Sequence, residues 1–202
     1  MSTRFFSFSD DTPFSTEAAL VNASSSHYEE DWPSIPHTHA FTELFYVSEG
    51  SGEFLIENQR FSIKKDDLII VNPHIQHTET SLSASPLSYY TVGVDGISFS
   101  FQDQKEFQIF HCRQKHADLL FYFHSLFQEL DEKNDGYEEI CKHTLAILIA
   151  QLRRFAVSDF QLFPSFHPSK ECALVKRYLD SHYSDDINLE QLASLSHLNK
   201  YY

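Results

Sequence analysis

The sequence predicts a mainly β chain: a closed β-shell, barrel or sandwich, followed by α-helices. Three observations lead there. Between Phe41 and Val94 the chain is cut into short runs rich in Phe, Ile, Val and Tyr, separated by turn residues, as packed antiparallel strands require. From His116 the apolar period changes from two to between three and four, the helical spacing. Nineteen phenylalanines and ten tyrosines against five glycines, with 42% hydrophobic residues in 202, supply a substantial core and exclude a disordered or fibrous chain.

The strand runs are "FTELFYV", "GEFLIE", "FSIKK" and "DLIIVN", followed by "LSYYTVGV" and "ISFSFQ". In "FLIENQRFSI" the apolar segments flank Asn58 and Gln59, an expected hairpin turn without the usual glycine. Leu119, Leu120, Phe123, Leu126, Phe127 and Leu130 then mark a helix over 116–130. A second helix, 137–157, carries Ile140, Cys141, Leu145, Leu148, Ile149 and Leu152, with Ala146, Ile147 and Ala150 adding apolar surface beyond one stripe. A barrel can cover one face of that helix and a partner subunit another, or the helix can sit in a groove with both faces internal. Two prolines in "FQLFPSFHPS" break the helical pattern and predict a linker over 161–169. Beyond it, Leu174, Val175, Tyr178 and Leu179 form one helical stripe. Asn188 and Gln191 are spaced as the two ends of a capping box opening a further helix.

Composition excludes several classes. No signal-like or membrane-spanning apolar run exists, the longest being Leu145–Ala150, so a cytoplasmic location is expected. Cys112, Cys141 and Cys172 are widely spaced and read as core thiols, not as a disulfide frame or zinc knuckle. The formal net charge of -14 repels polyphosphate, so any nucleic-acid contact needs a local patch.

The chemistry concentrates in "PHTHAFTELFYVSEGSG". His37, His39 and Glu43 share one parity, yet four extended residues span about 13 Å, whereas ligands of one ion sit about 2.0–2.2 Å from it. The chain must therefore bend between His39 and Glu43. His77, after Pro73, is the fourth candidate. Three histidines and a glutamate form a nitrogen and oxygen set suited to Zn, Ni, Fe, Mn or Cu rather than to Ca. The same residues can instead hydrogen-bond a polar ligand or satisfy one another inside the shell.

His37, His39, Glu43 and Gly50, with Pro73 and His77, resemble the two motifs of the cupin superfamily over about 40 residues. Asp66 stands where that pattern usually has glycine, at a left-handed turn that an aspartate enters at modest cost. The order barrel, two helices, linker and "ALVKRYLDSHYSDDINLEQLASLSHLNKYY" resembles the AraC family of bacterial transcriptional regulators. The resemblance implies a cupin-like (double-stranded β-helix or jelly-roll) sensing and dimerisation domain over 1–160, with the barrel at about 20–112 and helices at about 116–157. A first helix-turn-helix would follow over 170–202, with Ala193 at the helix crossing, cut short at the start of its recognition helix. His197 departs from the glycine many members have there.

On that resemblance the expected effector pocket comprises His37, His39, Glu43, Phe45 and His77, and the DNA-contacting residues are Asn199, Lys200, Tyr201 and Tyr202. The implied partners are a small-molecule effector, operator DNA in the full-length protein, and a second copy held through helices 116–130 and 137–157. The arm carrying Phe5, Phe6, Phe8 and Phe14 is aromatic enough to close over a pocket. No cofactor is required, although one divalent transition metal (Zn, Ni, Fe or Mn) would suit His37, His39, Glu43 and His77. No catalytic residue is assigned. The rival expectation is a metal-dependent cupin enzyme of dioxygenase, decarboxylase or isomerase type built on the same four residues, against which stands the helical tail.

Overall fold

The computed structural model describes residues 18–28, 34–101, 105–111, 117–155, 160–164, 175, 178–179 and 187–196. The chain divides into two compact units, Met1–Ser165 and Phe166–Tyr202.

In the first unit nine strands precede two helices: β1 Ala19–His27, β2 Thr42–Glu49, β3 Ser51–Ile56, β4 Gln59–Lys64, β5 Asp67–Val71, β6 His77–Ser81, β7 Ser88–Asp95, β8 Ile97–Phe101 and β9 Phe107–His111, then α1 Ala117–Glu132 and α2 Tyr137–Phe155. A tenth strand, β10 Phe160–Pro164, follows them. A five-stranded sheet runs β1-β7-β2-β5-β9, a three-stranded sheet β4-β3-β6, and β10 pairs with β8. Every pairing is antiparallel.

Both faces of the larger sheet are covered, which explains why β2 is buried without alternation from Thr42 to Val47 and carries a continuous apolar run over Leu44–Val47. Phe45, Val47, Ile69, Val71 and Tyr89 point into the shell and meet Phe54, Ile56 and Ile63 of the smaller sheet. Leu44, Tyr46, Leu68, Ile70, Val92 and Val94 point the other way, onto α1, α2 and β8. Tyr46 stacks on Phe123 of α1 with ring centroids 5.1 Å apart. Each strand residue thus belongs to one of two cores according to parity.

Turn chemistry sets the register. Gly50 has φ +77°, and a Cβ there would lie 1.9 Å from the Pro86 carbonyl oxygen, so only glycine fits between β2 and β3. Asp66, φ 70°, takes the left-handed position expected of it. Its amide donates to the Val47 carbonyl at 2.9 Å and its carboxylate accepts the Tyr46 hydroxyl at 3.0 Å, which compensates the conformation.

Two expectations need correction. The β3–β4 turn is Glu57–Asn58, not Asn58–Gln59: both residues have positive φ, and Gln59 already pairs with Ile56. That left-handed pair is the two-residue turn whose twist matches a hairpin, and it keeps Phe54, Ile56 and Ile63 facing inward. The stretch 161–169 is also not linker throughout, because Phe160–Pro164 form β10, registered from Phe160↔Phe101 to Pro164↔Ile97. Leu162 packs on the helix-side core, and Pro164, with no N–H to give, falls at the end of an edge strand where that loss is tolerated.

In the second unit α3 spans Leu189–Ser196. The capping box is formed: the Gln191 amide donates to Asn188 Oδ1 at 2.9 Å and the Asn188 amide to Gln191 Oε1 at 3.0 Å. Asn199, Lys200, Tyr201 and Tyr202 lie outside the described residues, as do Phe5, Phe6, Phe8, Phe14, Cys112, Cys172 and His197. Cys141 is a buried free thiol in the helix-side core.

Candidate functional site

The chain bends at residues 40–41, after the two early histidines and before β2 begins, as the spacing requires. His37 precedes the bend and forms an isolated antiparallel bridge with His77, the first residue of β6. Backbone bonds of 3.0 Å run both ways between these two residues, and the His74 amide donates to the His39 carbonyl at 2.7 Å. The 72–77 loop therefore fastens the segment before β2 against the mouth of the shell, and Glu43 on β2 faces it from below.

All four predicted polar residues meet there. The ligand nitrogens of His37, His39 and His77 lie within 4.8 Å of one another. His77 Nε2 donates to Glu43 Oε2 at 3.0 Å, and His39 Nε2 lies 3.5 Å from Glu43 Oε1. His77 and Glu43 are buried, with side chains 2% and 7% exposed, whereas His39 is at 24% and His37 is open to solvent. The site is thus a rim, dry on the Glu43 side and wet on the His37 side.

Hydrogen bonding assigns the protons. His77 Nδ1 donates to the Ile75 carbonyl at 2.9 Å while Nε2 faces a carboxylate, so both ring nitrogens act as donors. Burial lowers the His77 pKa, but the hydrogen bond and charge of Glu43, the Ile75 carbonyl and the charge of Glu79 outweigh it and hold it above the ordinary value. His39 is shifted the other way: burial lowers it, Glu43 raises it, and the neighbouring His77 and His37 lower it further, leaving it below the ordinary value. His37 Nδ1 meets the Ile35 carbonyl at 3.0 Å, a contact that fixes the orientation of its ring.

Phe45 sits deeper, 1% exposed, stacked on Tyr89 at 4.3 Å and edge-on to Phe54 at 4.9 Å. It is packed wall beneath the polar rim, and Phe54 in turn lies parallel to the His77 ring at 5.7 Å.

Four residues with parts in the site escape sequence reasoning. Glu79, two residues beyond His77 on the same face of β6, is buried and accepts the Tyr89 hydroxyl at 2.5 Å. Burial, then the charge and hydrogen bond of Glu79, push the Tyr89 phenol far above its ordinary range despite a bond to Ser26. Phe41 stacks on His39 at 4.7 Å and 11°. Gly93 leaves Phe41 its space, since a Cβ there would lie 2.6 Å from the Phe41 ring. The period-two repeat His77-x-Glu79 was the available signal for Glu79; the others depend on contacts between distant segments.

None of the predicted site residues lines a second feature, an open cleft of about 730 Å³ outside the shell, bordered among others by Ser26, His27, Lys65, Tyr90, Phe121 and His124.

Antiparallel sheets enclosing an apolar core, with a helical hairpin behind the larger one, make a fold of the cupin type. The family model of the AraC-like ligand-binding domain matches residues 24–148, more than half of the chain, and the chain belongs to that family, whose members sense ligands for transcriptional regulators. Among solved structures, an apo variant of ToxT from Vibrio cholerae strain SCE256 is similar in fold: TM-score 0.51, 10% identity, covering 88% of this chain and 70% of that one. ToxT from the same strain with an unsaturated fatty acid bound gives TM-score 0.46 at 10% identity, covering 92% and 71%. A cupin protein from Bacteroides fragilis gives TM-score 0.34 at 18% identity, covering 45% and 82%. No protein of curated function matches the chain by sequence.

Proposed function

We propose that this chain is the effector-sensing part of a ligand-responsive transcriptional regulator, and that the effector binds through its polar groups to His37, His39, Glu43 and His77 at the mouth of the shell. The observation that carries this reading is the convergence of those four side chains, from both sides of a chain bend and from β6, in a domain of the AraC-like ligand-binding family. Such a site binds and reports; it needs no chemical turnover, and the protein acts as a switch, not an enzyme. Binding shifts a population between two arrangements of the sensor, by no more than the difference in effector affinity for the two. The helix Leu189–Ser196 belongs to the operator-binding part. The acidic balance of the chain fits a sensor whose phosphate-neutralising residues lie elsewhere.

Scanning fluorimetry of the chain against a panel of sugars, aromatic acids, amines and short carboxylates tests the first half. At least one compound raises Tm in the wild type and fails to do so in a His39→Ala, Glu43→Ala variant. A stabilising compound that works equally well on that variant places the effector elsewhere and overturns the reading. For the second half, the full-length gene product should bind its operator with an affinity that falls as salt rises and changes with the same compound.

A second reading is favoured by the histidines themselves. The three imidazoles would hold a divalent transition metal (Zn, Ni, Fe or Mn), with Glu43 beside them. Their 4.8 Å span exceeds by little the roughly 4.2 Å that two nitrogens at 2.1 Å from one ion can be apart, and the Ile35 carbonyl already orients His37 for such a role. Bound there, the ion would supply a Lewis acid to hold an anionic or carbonyl group of the effector. Elemental analysis of untagged protein reads this directly: stoichiometric metal lost with His39→Ala supports it, and metal-free folded protein that still responds to effector rejects it.

A further inference from the structure

Strand β8 stands apart from the two larger sheets: among the described residues it pairs with β10 alone. Its apolar side chains Ile97, Phe99 and Phe101 are buried in the helix-side core. Two polar side chains also fasten it: Thr42, at the start of the strand that carries Glu43, and Asn72, directly after β5 at the start of the loop that leads to His77. Thr42 Oγ1 donates to the Ile97 carbonyl at 2.8 Å. Asn72 takes Phe99 by both backbone groups, its Nδ2 donating to the carbonyl at 2.6 Å and its Oδ1 accepting the amide at 2.9 Å. That is the pair of bonds a neighbouring strand would make. The second Nδ2 hydrogen goes to Glu106 Oε2 at 2.8 Å. Thr42 is 0% and Asn72 5% exposed, so no water stands ready to replace these bonds.

These two clamps lie back to back with the site. Parity along β2 turns Thr42 outward where Glu43 turns inward. Glu43 pairs with Val71 across β2 and β5, so the next step of that register sets Thr42 beside Asn72. Asn72 opens the loop that ends at His77 and that grips His39 through the His74 amide. The segments that bring the four site side chains together therefore also hold β8 on the other side of the sheet, with a single peptide bond between Thr42 and Glu43. Strand β10, riding on β8, is the last element of the first unit and ends one residue before its boundary at Ser165.

We propose that Thr42 and Asn72 are positioning residues that couple the state of the His37, His39, Glu43 and His77 site to the seating of β8, and through β8 to β10, where the chain leaves the sensor unit. A ligand that draws Glu43 and the histidines toward itself shifts the start of β2 and the 72–77 loop together. Because the core around them is close-packed, β8 follows instead of absorbing the shift. The proposal rests on the reading of this site as the effector site, but its test needs no effector, so the two can fail separately.

The test is a double-mutant cycle read by amide hydrogen exchange on the whole 202-residue chain. Glu43→Gln alters the charge of the site with little change in shape. It is expected to change exchange in 97–101 and 160–163 by about five-fold or more, and by less than about two-fold in a Thr42→Val background, where the Thr42 clamp on Ile97 is gone but the volume is kept. Thr42→Ser keeps the hydroxyl and preserves the full response. Asn72→Ala removes three bonds at once and risks the fold, so Thr42→Val carries the cycle; if Glu43→Gln does not fold, His39→Gln, at the wet side of the site, replaces it. Unchanged exchange in β8 and β10 on altering the site, or an equal change with and without the Thr42 hydroxyl, overturns the coupling. Loss of every compound response in fluorimetry, by contrast, bears on the site reading alone.

Discussion

Two histidines of the site, 5.4 Å apart between ring centroids, are driven in opposite directions by their surroundings. His77 lies between two acceptors, Glu43 and the Ile75 carbonyl, which hold its pKa above the ordinary value; His39, partly buried, has only a 3.5 Å approach to the same carboxylate and two imidazole neighbours, which leaves its pKa below it. Ring-proton NMR should therefore find the His77 midpoint above 6.5 and the His39 midpoint below it. The linkage signs follow. His77 binds its proton more tightly folded than unfolded, so its contribution to stability is present below the ordinary histidine value and is lost as pH rises through the raised one. His39 contributes above the ordinary value and loses its contribution as pH falls through the lowered one. In Glu43→Gln the hydrogen bond to a charged acceptor is gone, burial prevails, and the His77 midpoint should fall. A His77 midpoint at or below that of His39 in the wild type refutes this account. The four polar members of this site were legible because residue type, parity and the length of an extended segment constrain them. For Glu79 the period-two repeat with His77 was the one local signal; Tyr89, Thr42 and Asn72 had none, since an asparagine before a proline or a threonine opening a strand has no local mark of being buried, and only the pairing of distant strands decides it.

Elements show the same division between local and non-local information. The helix over 116–130 was read from apolar spacing and is found as α1, because three- and four-residue steps place Leu119, Phe123, Leu126 and Phe127 on one face. β10 was hidden because "FQLFP" pairs with a strand about 60 residues earlier and has prolines around it; nothing nearby reveals that β8 has an open edge. The hairpin turn was misplaced by one residue since neither candidate pair contains glycine, and the register came from inward Phe54 and Ile56 instead. What holds α1 to the shell can be measured by contrasting two phenylalanines two positions apart. Phe123 is fully buried between Tyr46 and Tyr90, with centroids at 5.1 and 6.2 Å, whereas Phe121 is 64% exposed. Phe123→Ala should cost about 3–5 kcal/mol by cavity formation, and Phe121→Ala less than about 0.5 kcal/mol. Urea denaturation followed by tyrosine fluorescence and circular dichroism reads both; equal losses would mean that α1 is not anchored through Tyr46.

For the whole molecule, charge and apolar exposure pull against each other in a way that separates its two proposed associations. On α2, Ile140 and Ile147 are 43% and 45% exposed and seven residues apart, so they lie on one side of the helix, away from the buried Cys141, Leu145, Leu148 and Leu152. A second copy meeting this side would bury both isoleucines and their partners from the other chain, as a two-fold contact does. Each copy carries a formal charge of -14, so approach is opposed by long-range repulsion that salt screens within a Debye length of about 8 Å at physiological ionic strength. Dimerisation should therefore strengthen as salt rises, the reverse of operator binding by the full-length protein, which weakens as counterions are released. Light scattering coupled to size exclusion at low and high salt measures the first. The expected result is a dimer favoured at high salt, turned to monomer by Ile140→Glu with Ile147→Glu while the helical circular dichroism is kept, since neither side chain supports the core. A wild-type monomer at every salt concentration, or a dimer indifferent to both substitutions, would remove α2 as the contact.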